Sequence, residues 1–161
     1  MKEIELTQGK MTLVDDEDFE ELNRFKWHAH KEGTSFYALR FSYSPGGKRI
    51  CIRMHREILK PPREMQCDHI DHNGLNNYRE NLRICTSLQN HMNRQLNKNS
   101  TSGLKGVHWN KRCKKWQVRM QINNKRKSVG YFLNKEEAGK AYDGMAKKYF
   151  GEFAHLNGDN S

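Results

Sequence analysis

The sequence predicts an α+β protein assembled from small modules, and three observations lead there. Residues 1–62 alternate apolar and polar side chains over short stretches, as a small antiparallel sheet does. Residues 104–161 repeat that alternation three times and then switch to helical spacing, which predicts a three-stranded antiparallel sheet packed on one helix. The section between, 63–95, is dense in His, Asp and Asn instead of apolar residues. With 161 residues, 35% of them hydrophobic and 30% charged, and a mean hydropathy of −1.05, no single core can be large.

Taken in order, Ile4 and Leu6 precede a turn at Gln8, Gly9 and Lys10, and Met11, Leu13 and Val14 follow it, which reads as a hairpin. A short helix is expected next, capped by Asp15 or Asp16, with acids in its first turn and Phe19, Leu22 and Phe25 as its apolar stripe. Residues 27–30, 36–43 and 49–54 read as strands, with Ser44, Pro45, Gly46 and Gly47 turning between the last two. Pro61 and Pro62 then break the chain, and residues 96–103 have the composition of a linker. In the last section Val107 and Trp109, then Trp116, Val118, Met120 and Ile122, then Val129, Tyr131 and Leu133 mark three strands, separated by basic turns at 110–115 and 123–127. Ala138, Ala141, Tyr142, Met145, Ala146 and Tyr149 recur at helical spacing over 135–150, and Gly151 ends that helix.

Charge narrows the function. Twenty-nine Lys and Arg against nineteen Asp and Glu give +10, and residues 101–161 alone hold 13 basic and 5 acidic side chains. Between Glu80 and Glu136 no acid occurs while 13 Lys and Arg do. A face of that kind gains affinity for a polyanion by releasing condensed counterions, so double-stranded DNA is the expected partner. Apolar runs stay far below the roughly 18 residues of a membrane span, and Met1 to Glu5 lack a secretory apolar stretch, so a cytoplasmic, non-secreted protein is expected. Cys51, Cys67, Cys85 and Cys113 form no Cys-x-x-Cys pair, which argues against a zinc ribbon or a disulfide framework. No heptad seam or long apolar helix face advertises an obligate protein partner.

Phosphodiester hydrolysis needs a base that deprotonates water and a divalent ion that offsets charge on the phosphate. The run from Cys67 through Asp68, His69, Asp71, His72, Asn73, Gly74, Asn76 and Asn77 to Asn81, followed by Gln89, Asn90 and His91, concentrates groups suited to both. Over residues 65–94 this run resembles the HNH nucleases, specifically the phage and intron-associated homing endonucleases, whose ββα-metal motif runs strand, loop, strand, helix. Met54–Leu59 resembles the segment that leads into it. The resemblance implies His69 as general base, Asp68 and Asn90 as metal ligands, and Asn81 as the residue that holds the loop and orients the His69 ring. It also implies Mg²⁺ or Mn²⁺, one ion per site, and the cytoplasm of a bacterial or phage-infected cell. Where the family name expects a final His, the register places Asn90, with His91 one residue on; in a helix the two point about 100° apart, and Asn90 is the preferred ligand. A geometric demand follows: neighbouring strand residues face opposite sides, so Asp68 and His69 share a site only if the strand twists or ends there.

Residues 102–157 resemble the apetala-two type DNA-binding domain of plant ethylene-response factors, through Lys105-Gly106-Val107, Trp116-Gln117-Val118, Val129-Gly130-Tyr131-Phe132, Ala141-Tyr142-Asp143 and His155-Leu156-Asn157. That resemblance implies base contacts from Lys105, His108, Arg119, Gln121 and Arg126, and phosphate contacts from Lys111, Arg112, Lys114, Lys115, Lys125 and Lys127. His108, Gln121 and Ser128 stand where the plant domains carry Arg or Trp, so base preference does not transfer. The sequence therefore predicts a metal-dependent, homing-like DNA endonuclease: an accessory region at 1–62, the nuclease motif at 63–95, a linker at 96–103 and a DNA reader at 104–161. The alternative is a DNA-binding regulator carrying an inactive HNH fold, and an RNA-binding role is disfavoured by the lack of a stacked-aromatic motif.

Overall fold

The computed structural model describes residues 1–96, 99–122 and 125–160, with the last two of these as backbone only. Two compact units result, Met1–Asn90 and His91–Ser161.

In the first unit, β1 (Lys2–Glu5) and β2 (Met11–Val14) pair as the expected antiparallel hairpin. The helix α1 (Asp16–Leu22) carries Asp16, Glu17 and Asp18 in its first turn, where the macrodipole favours them. Two local expectations fail. The Asp15 side chain makes no cap and instead accepts the backbone N–H of Arg79 at 2.7 Å. Phe25 lies beyond the helix end, under the Arg40 guanidinium at 3.9 Å, because the chain turns at Asn23 to bury Trp27. Strands β3 (His28–Glu32), β4 (Ser35–Tyr43) and β5 (Arg49–Arg53) form a three-stranded antiparallel sheet in the order β3-β4-β5, and α2 (Met54–Leu59) follows without a break.

One core serves this whole unit. Ile4, Leu6, Val14, Leu22, Trp27, Ala29, Ala38, Met54 and Ile58 pack with Leu82, so the sections predicted separately as 1–62 and 63–95 bury their apolar surface together. The larger of these, Val, Leu, Ile and Met, contribute ~1.5–3 kcal/mol each on burial, which the polar second section lacks the residues to gather alone. The remaining elements are β6 (Gln66–His69) and β7 (Leu82–Cys85), antiparallel with His69 opposite Leu82 and Asp68 opposite Arg83, and then α3 (Ser87–Met92). The order strand, loop, strand, helix over 66–92 is the predicted one.

In the second unit β8 (Val107–Asn110), β9 (Lys115–Ile122) and β10 (Lys125–Phe132) make a meander in the order β10-β9-β8, and α4 (Lys135–Phe150) packs on it. The predicted turn at 123–127 includes Asn123 and Asn124, which lie outside the described residues, as do Asn97 and Lys98 of the expected linker. Alternation puts Val118, Met120 and Ile122 on one face with Val107, where they meet Ala138, Tyr142, Ala146 and Phe150 of the helix. Trp109 and Trp116 pack edge to face at 5.0 Å. Asn134 caps α4 by accepting from the N–H groups of Glu136 and Glu137, and Gly151 ends it. Gly106 is required twice over: φ is +72°, and a Cβ there would meet the Tyr142 ring at 2.3 Å.

Candidate active site

The site grows from the end of β6. After His69 the chain loops through residues 70–81, and a polar network gives that loop its shape. Asn81, buried, accepts the N–H of Asp71 at 3.0 Å and donates to Asp71 Oδ1 at 2.9 Å and to the Asn76 carbonyl at 2.8 Å. Its own carbonyl accepts from Ile70 at 2.9 Å. Asn81 thus sits where a loop-holding residue belongs. Gly74 lets this loop approach β4, since a Cβ there would fall 2.5 Å from both the Phe36 carbonyl and the Tyr37 ring.

The His69 ring takes its hydrogen bond from a different residue than expected. Its Nε2 lies 3.2 Å from Asn77 Oδ1, whereas the Asn81 side chain bonds to the loop backbone and to Asp71. Asn77 is fully buried, and its Nδ2 donates to Thr12 Oγ1 at 2.8 Å and toward the Gly74 carbonyl. A carbonyl only accepts, so the amide nitrogen faces Gly74 and the amide oxygen faces His69. The Nε2 atom of neutral His69 must therefore carry the proton, and Nδ1 holds the basic lone pair. Thr12, on β2, donates in turn to the Leu75 carbonyl at 2.7 Å, while the Asn77 N–H donates to the Leu13 carbonyl at 2.7 Å. The N-terminal hairpin is thereby part of the site's frame.

Two more rings enclose His69. His55, on α2, meets the His69 ring edge to face at 5.0 Å, and Tyr37 lies 5.8 Å from it. Burial pushes the His55 imidazole down to about 3, with His69, Arg53 and Arg56 adding to the effect, and among the described residues its buried Nδ1 finds no hydrogen-bond partner. Burial also lowers His69, opposed by its bond to Asn77 and by Asp71 and Asp68. Both rings are neutral at pH 7.

Asp68 faces the other side of β6. Its Oδ2 accepts from Arg83 Nε at 2.9 Å and Nη2 at 2.7 Å, a charge-assisted pair in a mostly buried setting. Asn90 reaches the same side: its Nδ2 donates to Gln66 Oε1 at 2.8 Å, two residues before Asp68 on β6. His91 is exposed. The structure so brings Asp68 and Asn90 to one side of the strand and packs His69 on the other, at the strand's last residue. Among the described residues no three His, Cys, Asp or Glu side chains cluster as a metal site. All four cysteines are free thiols, and burial pushes Cys85 up to about 11.

Over 154 residues the chain is 32% identical to an uncharacterized HNH endonuclease of Acanthamoeba polyphaga mimivirus, a match covering 93% of this chain and 76% of that protein. The chain belongs to the HNH endonuclease family. That membership supports nuclease activity at the family level. A shorter match, 41% identical over 56 residues, joins 35% of this HNH chain to 46% of Protein 3.8 of Escherichia phage T7. No family model and no solved structure matches. The apetala-two resemblance of residues 102–157 accordingly gains no support from these relatives. No helix among the described residues is long and apolar enough to cross a membrane.

Within the second unit, the face of the sheet turned away from α4 carries many of the residues predicted to contact DNA. His108, Arg119, Gln121 and Arg126 line one open depression of about 340 Å³ together with Met120. Gln121 lies opposite Arg126, and Arg119 opposite Ser128. Lys115 is on the same face by alternation, and Lys111, Arg112 and Lys114 occupy the exposed turn before it. Three of the predicted residues lie away from this face. Lys105 donates its ammonium to the carbonyls of Met92 at 2.8 Å and Arg94 at 2.6 Å, a structural use that burial accompanies by lowering it to about 8. Lys127 lies opposite Met120, on the helix side, with its Nζ 5.7 Å from the Tyr149 ring, and Lys125 lies opposite Ile122 on that same side. The sequence pattern assigns no function to Asn77, Thr12, His55 or Arg83. The Asn76-Asn77 doublet and the Met54–Leu59 segment are the signals that point toward the first and third of these; Thr12 carries none.

Proposed function

We propose that this HNH protein hydrolyses phosphodiester bonds in double-stranded DNA, with His69 as general base and the basic sheet of the second unit as reader. The observation that carries the reading is the His69–Asn77 pair: a fully buried amide, itself held by Thr12, orients a buried, neutral imidazole at the end of β6, and Nδ1 is the atom we assign as proton acceptor. Nδ1 takes a proton from water, the resulting hydroxide oxygen bonds to phosphorus, and the bond from phosphorus to the 3′ oxygen breaks. The leaving oxygen takes a proton from solvent, giving 5′-phosphate and 3′-hydroxyl ends.

The donor set suits a hard cation. A carboxylate and a carboxamide oxygen, Asp68 and Asn90, match Mg²⁺ or Mn²⁺, which keep several waters and use few protein ligands. When bound, such an ion offsets charge on the phosphate and the leaving oxygen. Arg83 already occupies Asp68 Oδ2, so the guanidinium must shift or the other carboxylate oxygen must serve. That same pair is the one observation favouring the alternative, a DNA-binding regulator with an inactive nuclease fold.

Supercoiled plasmid decides between them. The nuclease reading expects cutting with Mg²⁺ or Mn²⁺ that EDTA stops, and open circles accumulating before linear DNA, since one base per chain serves one strand at a time. Binding without any cutting supports the regulator. A homing-like role further expects cutting concentrated at one site in a long target, seen as discrete fragments.

A further inference from the structure

A groove of about 320 Å³ opens between β5 and α2, lined by Cys51, Ile52, Arg53, Arg56, Glu57 and Lys60. From it we infer a second phosphate-binding site, one that takes a backbone phosphodiester of the bound DNA near the bond being cut. The inference rests on the nuclease reading above.

Charge is the first argument. The one carboxylate in the groove's lining, Glu57, is neutralised by Arg40 in a two-pronged pair at 2.7 and 3.1 Å, and Arg53 is paired with Glu32 at 2.5 and 3.2 Å. Arg56 gives one N–H to the Met65 carbonyl, and among the described residues neither it nor Lys60 has a carboxylate partner. Two cations, Arg56 and Lys60, therefore face the groove without a carboxylate partner, while the Arg53 fork is held by Glu32.

Backbone conformation is the second. Lys60 ends α2 with φ at +46°, in the left-handed region where glycine or asparagine is the ordinary choice. Pro61 follows and ends the helix, and the turn leaves the exposed Lys60 lining the groove.

Position is the third. The Arg53 guanidinium lies 5.8 Å over the Tyr37 ring, and the other neighbours of that ring are His55 at 6.0 Å and His69 at 5.8 Å. Arg53 at the groove's rim and the proposed base thus share one aromatic neighbour, Tyr37. Successive phosphates advance roughly 3.4 Å along the duplex axis per nucleotide, so the groove suits a phosphate a few nucleotides from the scissile one. Its use would be to hold the strand in register, since phosphate contacts position DNA without reading its sequence.

Because the contact is sequence-independent, duplex DNA of arbitrary sequence is a sufficient probe. Full-length protein, its Lys60→Glu variant and its Arg56→Gln/Lys60→Gln variant are titrated with a fluorescent duplex at several salt concentrations, and plasmid cutting is followed in parallel. The expected result is weaker binding by both variants, with a slope of log K against log salt shallower by about 0.9 for every phosphate no longer neutralised, and a KM for cutting that rises more than kcat falls. Lys60 is exposed, so Lys60→Glu decides the matter even if removing the Arg56–Met65 hydrogen bond unfolds the double variant. Wild-type affinity and salt slope in a folded Lys60→Glu variant, with wild-type protein that cuts, would overturn the groove alone. Wild-type protein that binds duplex without cutting, in Mg²⁺ and in Mn²⁺, removes the nuclease reading on which the groove rests and overturns both.

Discussion

Asn77 Oδ1 stands 3.2 Å from His69 Nε2, and the same amide's nitrogen is held by Thr12, 65 positions earlier in the chain. Three hydrogen-bonding groups meet at one fully buried side chain, so its orientation leaves His69 a single neutral tautomer. Asn77→Ala would leave Thr12, His69 and the Gly74 carbonyl short of a partner in the interior, and each such loss costs about 1–3 kcal/mol. We expect a destabilisation of ~2–4 kcal/mol by denaturant titration. Cutting should drop by about 10²-fold or more even where the protein stays folded, since a misoriented base forfeits much of a general-base contribution of roughly 10²–10⁴. Thr12→Val tests the relay one bond further out and should show a smaller loss in kcat than in stability. Unchanged kcat in a folded Asn77→Ala protein would free His69 from this account.

His69→Ala should abolish cutting and leave duplex affinity close to wild type, because the base acts on water and the phosphate contacts lie elsewhere. Gel shifts and plasmid cutting on the same preparation separate the two. Residual cutting at the wild-type rate would assign the base to another residue.

Arg83 and Asp68 make a mostly buried ion pair, and breaking such a pair from one side costs ~3–5 kcal/mol because a charge stays behind. Arg83→Met should therefore lower the melting temperature clearly. If Asp68 belongs to a cation site, Mg²⁺ or Mn²⁺ should restore part of that loss in the variant, since an ion that binds only the folded chain stabilises it by mass action. A variant equally unstable with and without divalent ion, at millimolar concentration, would mean Asp68 serves Arg83 alone.

Which parts of this arrangement the sequence reveals follows the range of the interactions involved. The alternation from Val107 to Phe132 and the helical spacing from Ala138 to Tyr149 are local signals, and strands and helix form where they indicate. Asn90 and His91 differ in helical phase, which is likewise local, and the Asn90 side chain donates to Gln66 of β6. Asn77 is visible only as half of an Asn doublet, because its role depends on Thr12 and His69 converging in space. Lys105 looks like a DNA contact because its carbonyl partners at 92 and 94 lie across a segment with no periodicity. Joining residues 1–62 to the nuclease section requires a shared core, and one late contributor, Leu82, sits in the polar section where apolar patterning is weakest.

His55 gives the protein a pH signature. Unfolded, it takes a proton near 6.5; folded, burial holds it neutral down to about 3. Between those values the unfolded chain binds the additional proton, so acid favours unfolding. Stability is complete above pH 6.5 and falls by up to ~1.4 kcal/mol per pH unit below it. Buried His69 acts in the same direction. His55→Gln should flatten this dependence by up to one proton when unfolding is measured at pH 7, 6 and 5. An unaltered slope would show that His55 is reached by solvent in the native state.

On the proposed function, sequence reading and structural holding should fall to different residues of the second unit. Arg119, Gln121 and Arg126 line an open face of the sheet, and their replacement by alanine should leave the melting temperature nearly unchanged. Base discrimination should relax at the positions they touch, by about 1–3 kcal/mol for each two-pronged base pairing removed. Lys105 behaves oppositely. Its ammonium ties down the Met92 and Arg94 carbonyls, and the Lys105 backbone N–H donates to Asn157 Oδ1 at 2.6 Å, so the residue closes the second unit around its own first segment. Lys105→Met keeps most of the stem but strands two carbonyls, and a loss of ~1–3 kcal/mol follows. Selection of preferred sites from a random duplex pool, run on both sets of variants, should return altered preferences for the arginine and glutamine changes and the wild-type preference for Lys105→Met. If Lys105→Met instead alters the preferred sequence at unchanged stability, the ammonium leaves those carbonyls for DNA and Lys105 rejoins the reader.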